Sequence, residues 1–136
     1  MPVTHAWRGG GSAIFLELGE LTNDRENNPN GEATFMLEFD WRVEKLRSIY
    51  FGSTSGNRKI ANGLKRLTQE KVTDVEVEGR LPELILTFSG NLWLRTFTLY
   101  EPQPMWTIFL PSGKCLSSKQ GNIKIELCGD ERKKSV

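Results

Sequence analysis

The sequence has few of the residues that metal sites and nucleophilic active sites require. His5 is the single histidine among 136 residues, and Cys115 and Cys128 are the two cysteines. One cysteine pair and a distant histidine do not supply the four ligands of a zinc site. A nucleophile also needs an adjacent base, and neither cysteine has a histidine near it in the sequence. We therefore expect no metal, no cofactor and no catalytic residue, and hence a protein that is not an enzyme.

The sequence also lacks a surplus of one charge and any long apolar run. Its 18 basic and 17 acidic side chains leave a net charge of +1, which provides no general field to attract nucleic acid or an anionic membrane. No segment approaches the ~20 apolar residues of a membrane span, and the N-terminal residues lack the apolar stretch of a signal peptide. We expect a cytoplasmic protein for which neither a membrane nor nucleic acid is the partner.

The length and the aromatic content indicate one folded domain. A chain of 136 residues can build a single core but not two comfortable ones. Four Trp, two Tyr and seven Phe are more aromatic residues than a disordered segment carries. We predict one globular domain over residues 1–128, followed by a flexible charged tail over residues 129–136.

Two Gly-Asn pairs predict β-hairpins. Glycine and asparagine tolerate the positive φ angles of two-residue turns, and Gly90-Asn91 lies between two apolar runs that resemble strands. A two-residue turn at this point pairs Phe88 with Trp93 and places both on one face of the sheet. The second pair, Gly121-Asn122, divides residues 115–119 from residues 123–127 in the same way.

The second hairpin brings the two cysteines together. With a two-residue turn at Gly121-Asn122, Cys115 lies opposite Cys128, at a separation that a disulfide can span. Because the sequence carries no secretion signal, two reduced thiols are the favoured state.

Alternating apolar and polar residues predict two amphipathic strands with acidic faces. Residues 34–44 alternate with period 2, as do residues 73–78. The acidic residues of each run share one face, and we take them as candidate partner-binding residues: Glu38, Asp40, Asp74, Glu76 and Glu78. Paired carboxylates on one face are also compatible with acid catalysis, but solvated strand faces have the same pattern.

Residues 57–69 are predicted to form the one helix of the chain. Ile60, Leu64 and Leu67 recur at helical spacing, and Ser55 or Asn57 is placed to cap the first turn. Glycines, hydroxyl groups and cations before and within that turn form a candidate anion-binding site, because backbone amides at a helix start favour anions. Its candidate residues are Ser53, Ser55, Asn57, Arg58 and Lys59. The spacing of a P-loop is absent, so nucleotide hydrolysis has no support.

These patterns together predict an α+β domain. We expect an antiparallel sheet of about eight short strands with one helix, arranged as a sandwich or a partly closed barrel.

The order of these segments resembles that of small β-rich bacterial proteins, some of which look like immunity proteins of toxin systems. The resemblance spans residues 10–113 and includes a run from Gly11 to Leu18, a strand that ends in Trp41-Arg42, the helix, and the run that begins at Trp106. It implies a non-enzymatic protein that neutralises a toxin domain by protein–protein contact. It carries no functional residues that can be transferred to this chain. The alternative function is a small-molecule or anion-binding module at residues 52–59.

Overall fold

Short amphipathic runs separated by turn residues form thirteen strands and one helix in the computed structural model of the protein, which describes residues 1–11, 13–100, 104–119 and 121–128. The predicted tail at residues 129–136 lies outside the described residues. In chain order, the elements are β1 (Val3–Arg8), β2 (Ile14–Leu18), β3 (Thr22–Asn23), β4 (Pro29–Asn30), β5 (Ala33–Leu37), β6 (Trp41–Glu44), β7 (Ile49–Gly52), α1 (Asn57–Leu67), β8 (Val72–Glu78), β9 (Glu83–Phe88), β10 (Leu92–Thr96), β11 (Trp106–Phe109), β12 (Lys114–Lys119) and β13 (Asn122–Leu127).

The strands form two main antiparallel sheets. The six-stranded sheet has the order β1-β2-β5-β11-β12-β13, the five-stranded sheet has the order β7-β6-β10-β9-β8, and β3 and β4 form a separate small ribbon. The predicted α+β class with a β-rich domain is confirmed, and neither sheet closes into a barrel. More strands are present than the eight predicted, because several consist of only two to four residues.

One hydrophobic core lies between the two sheets and the helix. Alternate side chains of both sheets enter it, among them Leu37 and Trp106 from the six-stranded sheet and Leu94 from the five-stranded sheet. The Trp106 indole is fully buried and donates a hydrogen bond from Nε1 to the Pro82 carbonyl at 3.0 Å, which satisfies its polar atom. A smaller cluster, which includes Phe15, Met36 and Cys115, packs on the other face of the six-stranded sheet.

The alternating run at residues 34–44 is not one strand, as the sequence predicts, but two. Strand β5 ends at Leu37 in the six-stranded sheet, and β6 begins at Trp41 in the five-stranded sheet. Glu38 and Asp40 lie in the connection between the sheets. The prediction that these two carboxylates share a strand face is therefore wrong, because the alternation of polarity continues through a change of sheet.

The hairpin between β9 and β10 has a different register from the predicted one. Phe88 pairs with Leu92, and Trp93 pairs with Thr87, because the loop contains three residues rather than two. Gly90 and Asn91 adopt the positive φ angles of 73° and 56°. A shift of one residue moves a side chain to the opposite face, so Phe88 is buried in the core while Trp93 lies on the outer face. The predicted Phe88–Trp93 pair is wrong.

The two cysteines are adjacent, as predicted, but their pairing differs in two respects. Lys119 pairs with Asn122, so Cys115 lies opposite Glu126 rather than opposite Cys128. The Cα atoms of the two cysteines are 5.8 Å apart, and the thiols are joined in a disulfide instead of being reduced. The bond ties β12 to the residue that follows β13.

Helix α1 packs on strands β1 and β7 through its predicted stripe of Ile60, Leu64 and Leu67, all of which are buried. The residue before the helix, Gly56, takes the cap position and makes no side-chain hydrogen bond, so the predicted cap by Ser55 or Asn57 is wrong. The helix approaches β7 closely at one point. A Cβ atom on Gly63 would lie 2.3 Å from Cε1 of the Phe51 ring.

Gly63→Ala tests this close approach. Alanine is the better helix former by about 1 kcal/mol, yet we expect the variant to lose about 1–3 kcal/mol of unfolding free energy, because its methyl group overlaps a buried aromatic ring. Urea denaturation measures the change. In a Phe51→Leu background, Gly63→Ala should cost less unfolding free energy. Ala61→Gly, on the exposed side of α1, measures the difference in helix propensity between alanine and glycine without a change in packing. A Gly63→Ala protein more stable than the wild type would contradict the packing argument.

Candidate functional site

The outer face of the five-stranded sheet carries a continuous polar and aromatic surface. It is the face turned away from the core, and the strand register places its side chains in two rows. Each row crosses the sheet from β6 to β8. The first row is Glu44, Trp93, Thr87 and Asp74, and the second is Arg42, Arg95, Ile85 and Glu76.

Two arginines on this outer face lie near one aromatic ring, that of Phe97 directly after β10. The Arg42 guanidinium lies 4.7 Å from the centre of the Phe97 ring, and that of Arg95 lies 5.9 Å from it. Arg42 also donates from Nε to Glu44 Oε2 at 2.6 Å, and Arg95 Nη2 lies 3.3 Å from Glu78 Oε1. The Phe97 ring and the two ion pairs position both guanidinium groups, and Trp93 on the same face is half-exposed.

Asp74, Glu76 and Glu78 form an acidic stripe along β8, which is an edge strand of the same sheet. As the sequence predicts, the three side chains are exposed and share one face. A hydrogen bond with Asp74, together with the negative charges of Asp74 and Glu78, raises the pKa of Glu76 above its usual range. The stripe is therefore a concentrated negative charge at one border of the outer face.

Glu38 and Asp40, the other two predicted partner-binding residues, do not join this surface as a pair. Glu38 is half-buried after β5, where burial raises the pKa of its carboxyl group. Asp40 pairs through its backbone with Phe97, and its carboxylate accepts a hydrogen bond from Ser53 Oγ at 3.3 Å.

The predicted anion-binding residues are close in space, but the side-chain oxygens of three of them accept hydrogen bonds from other groups of the protein. Ser53 Oγ accepts from the Trp41 amide, and Ser55 Oγ accepts from the Gly52 amide at 2.9 Å. Asn57 Oδ1 accepts from the Arg8 guanidinium at 2.9 Å. The local turn thus uses the oxygens of these three side chains, while Arg58 and Lys59 are exposed.

A buried carboxylate that sequence reasoning missed lies on the far face of the six-stranded sheet. Glu17 is 0% exposed. Its Oε1 accepts hydrogen bonds from the Thr34 hydroxyl and from the Gly31 amide at 3.0 Å, and its Oε2 accepts from Trp7 Nε1 at 2.8 Å. The Trp7 ring stacks on Phe15 with the ring centres 4.0 Å apart. The signal in the sequence is a single acid inside the apolar run Ile14–Leu18, which forms a strand covered on both faces.

Two open cavities lie on the surface, one of them beside Arg42 and Glu44 of the outer face. One of about 340 Å³ lies between β1 and α1 and is lined by His5, Trp7 and Lys65, among others. The other, of about 260 Å³, lies on the β6–β7 hairpin beside Arg42 and Arg47. Within the described ranges of the chain, no three His, Cys, Asp or Glu side chains are grouped so as to hold a metal ion.

Comparison with known proteins gave no relatives. No protein-family model matches the chain, and neither a curated protein nor a solved structure matches it. Of the residues that the structure describes, none belong to a helix that is long and apolar enough to cross a membrane. The cytoplasmic location stays a prediction.

Replacing the buried carboxylate by its amide tests the Glu17 network. In Glu17→Gln, one oxygen becomes an NH₂ donor, so at least one of the three donors around it loses its acceptor. We expect a loss of about 1–3 kcal/mol in unfolding free energy, measured by urea denaturation. In a Trp7→Phe background, where the indole donor is absent, the cost should be smaller. Equal costs in the two backgrounds would contradict the role of the Trp7 bond.

The acidic stripe predicts a measurable coupling between two carboxylates. Asp74→Ala removes both the hydrogen bond and the charge that raise the pKa of Glu76, so we expect that pKa to fall toward its ordinary value. Because the raised pKa belongs to the folded state, its contribution to stability is present at low pH and is lost as the pH rises through it. NMR titration of the Glu76 carboxyl carbon measures the change. Glu26→Ala, outside the stripe, is the control and should leave the Glu76 pKa unchanged.

Proposed function

We propose that the protein is a non-enzymatic binding protein that contacts a protein partner through the outer face of the five-stranded sheet. The observation that carries the proposal is the position of Trp93. It is half-exposed on the outer face, in the row next to that of Arg42 and Arg95. These two rows end at Asp74 and Glu76 of the acidic stripe on β8.

The chemistry of this face is that of a protein interface. Tryptophan and arginine are enriched among the residues that carry most of the binding energy at interfaces, because a large ring buries much area and a guanidinium forms several hydrogen bonds. Arg42 and Arg95 are already oriented by Phe97 and by their ion pairs, so less side-chain freedom is lost when a partner binds.

The acidic stripe defines the kind of partner. Asp74, Glu76 and Glu78 would attract a protein with a basic surface and would accelerate its association, since complementary charge acts mainly on the encounter rate. A toxin domain is the partner class that the resemblance to immunity proteins implies. In that role, the protein covers the basic active-site region of a toxin and blocks it by contact.

The alternative function, an anion-binding module at residues 52–59, stays a prediction. The oxygens of Ser53, Ser55 and Asn57 are engaged within the protein, which leaves Arg58 and Lys59 as the groups that would meet an anion. Calorimetric titration with inorganic phosphate would separate this alternative from the interface proposal, since Trp93→Ala would leave such binding unchanged.

The interface is tested with the protein encoded by the gene next to this one, purified and immobilised for kinetic binding measurements. We expect Trp93→Ala to raise the dissociation constant by roughly 30-fold, as for a central interface residue. Glu76→Lys should mainly slow association, and raising the salt concentration should reduce the difference, because exposed charges are screened beyond ~8 Å at physiological ionic strength.

Two matched variants serve as controls for these effects. Leu21→Ala removes an exposed apolar side chain outside the outer face, and Glu26→Lys reverses an exposed charge outside the acidic stripe. Both should bind as the wild type does, and circular dichroism confirms folding. Failure of the wild type to bind, or wild-type binding by Trp93→Ala, would count against the proposed interface.

A further inference from the structure

Over the residues that the structure describes, strand β13 has one free edge with no neighbouring strand. It is the terminal strand of the six-stranded sheet and pairs with β12 alone among the described strands. All six of its residues are exposed, and its apolar side chains are uncovered to an unusual degree, at 42% for Ile123, 65% for Ile125 and 82% for Leu127. A long exposed edge with apolar side chains is a template for pairing with a further strand.

The hydrogen-bond pattern identifies the groups that point outward. The Cys128 amide donates to the carbonyl of Gly113, the residue before β12, at 2.9 Å. The backbone groups of Cys128 therefore point toward β12. Backbone groups alternate in direction along a strand. The amides and carbonyls of Asn122, Lys124 and Glu126 therefore point toward β12, and those of Ile123, Ile125 and Leu127 point to the free edge.

We propose that the β13 edge pairs with the β13 edge of a second copy of this chain, antiparallel and centred on Ile125. In this register, Ile125 faces its own symmetry mate, and Ile123 faces Leu127 of the second copy. Each of these three pairs exchanges two backbone hydrogen bonds. The two six-stranded sheets then form one continuous sheet around a twofold axis, which is the commonest symmetry of soluble dimers.

Charge complementarity selects a second copy as the occupant. The same register places Lys124 opposite Glu126 of the second copy, and symmetry repeats the pair. Both are non-hydrogen-bonded pairs of the antiparallel ladder. At such pairs the Cα atoms approach to about 4.5 Å and the side chains are closest. The strand is therefore complementary to itself in charge as well as in backbone hydrogen bonds.

In the part of the chain that the structure describes, the other three terminal strands of the two main sheets, β1, β7 and β8, lack this property. Strand β8 carries its acidic stripe along the edge, so pairing with itself would bring like charges together. The residues around the start of β1 are bonded elsewhere, since the Val3 amide donates to the Glu70 carbonyl and the Val72 amide donates to the Met1 carbonyl. Strand β7 is only four residues long and is packed by α1.

Charge exchange at β13 tests the proposal. Sedimentation equilibrium should find the wild type dimeric, and Lys124→Glu or Glu126→Lys should raise the dimer dissociation constant at least ~10-fold, because each creates two like-charge pairs. The double variant with both substitutions restores complementary pairs and should recover the dimer. Circular dichroism checks that all three variants fold, as expected for changes at exposed positions.

Cysteine cross-linking tests the register independently. Ile125→Cys should form a disulfide-linked dimer on a non-reducing gel, since its symmetry mate lies directly opposite at a Cα separation of about 5.5 Å. Ile123→Cys should not, because its own mate is displaced along the strand. A wild type that stays monomeric, or single charge variants that dimerise as well as the wild type, would overturn the proposal. Cross-linking of Ile123→Cys but not Ile125→Cys would overturn the register.

Discussion

The burial of two sheet faces against each other is the constraint on which the rest of the molecule depends. Each strand that contributes Leu37, Leu94 or a similar side chain to the shared core must turn its alternate residues outward. The outer face of the five-stranded sheet is thus fixed by the core behind it. Trp93 is on the surface because Leu92 and Leu94 are buried. A rigid sheet holds such a surface in position better than a loop would.

On the outer face of the six-stranded sheet, hydrogen bonds stabilise a buried carboxylate, that of Glu17. Three neutral donors, the Trp7 indole, the Gly31 amide and the Thr34 hydroxyl, satisfy the oxygens of Glu17. A buried carboxylate is tolerated when hydrogen bonds replace its lost hydration. Trp7 both donates one of these bonds and stacks on Phe15, so the polar network and the small apolar cluster on this face depend on the same side chain.

Sequence patterns determine the class of this fold more reliably than its register. The stripe of Ile60, Leu64 and Leu67 places α1 correctly because helical periodicity is a local property. The predicted two-residue turn places Trp93 on the wrong face, because one additional loop residue reverses every side chain beyond it. The sequence pattern places Glu38 in a strand, because alternation alone does not reveal that the chain changes sheets after Leu37. Of the candidate site, the acidic stripe of β8 was predictable, and the aromatic and arginine surface beside it was not.

The disulfide between Cys115 and Cys128 has a consequence for how copies of this chain can meet. Copies of one chain can exchange an identical strand, which leaves its own sheet and enters that of a neighbour. Here the end of β13 is covalently fastened to β12. While the bond is intact, β13 cannot separate from β12, so exchange of β13 alone is blocked. Two molecules joined at β13 would then place their edges side by side, each retaining its own fold.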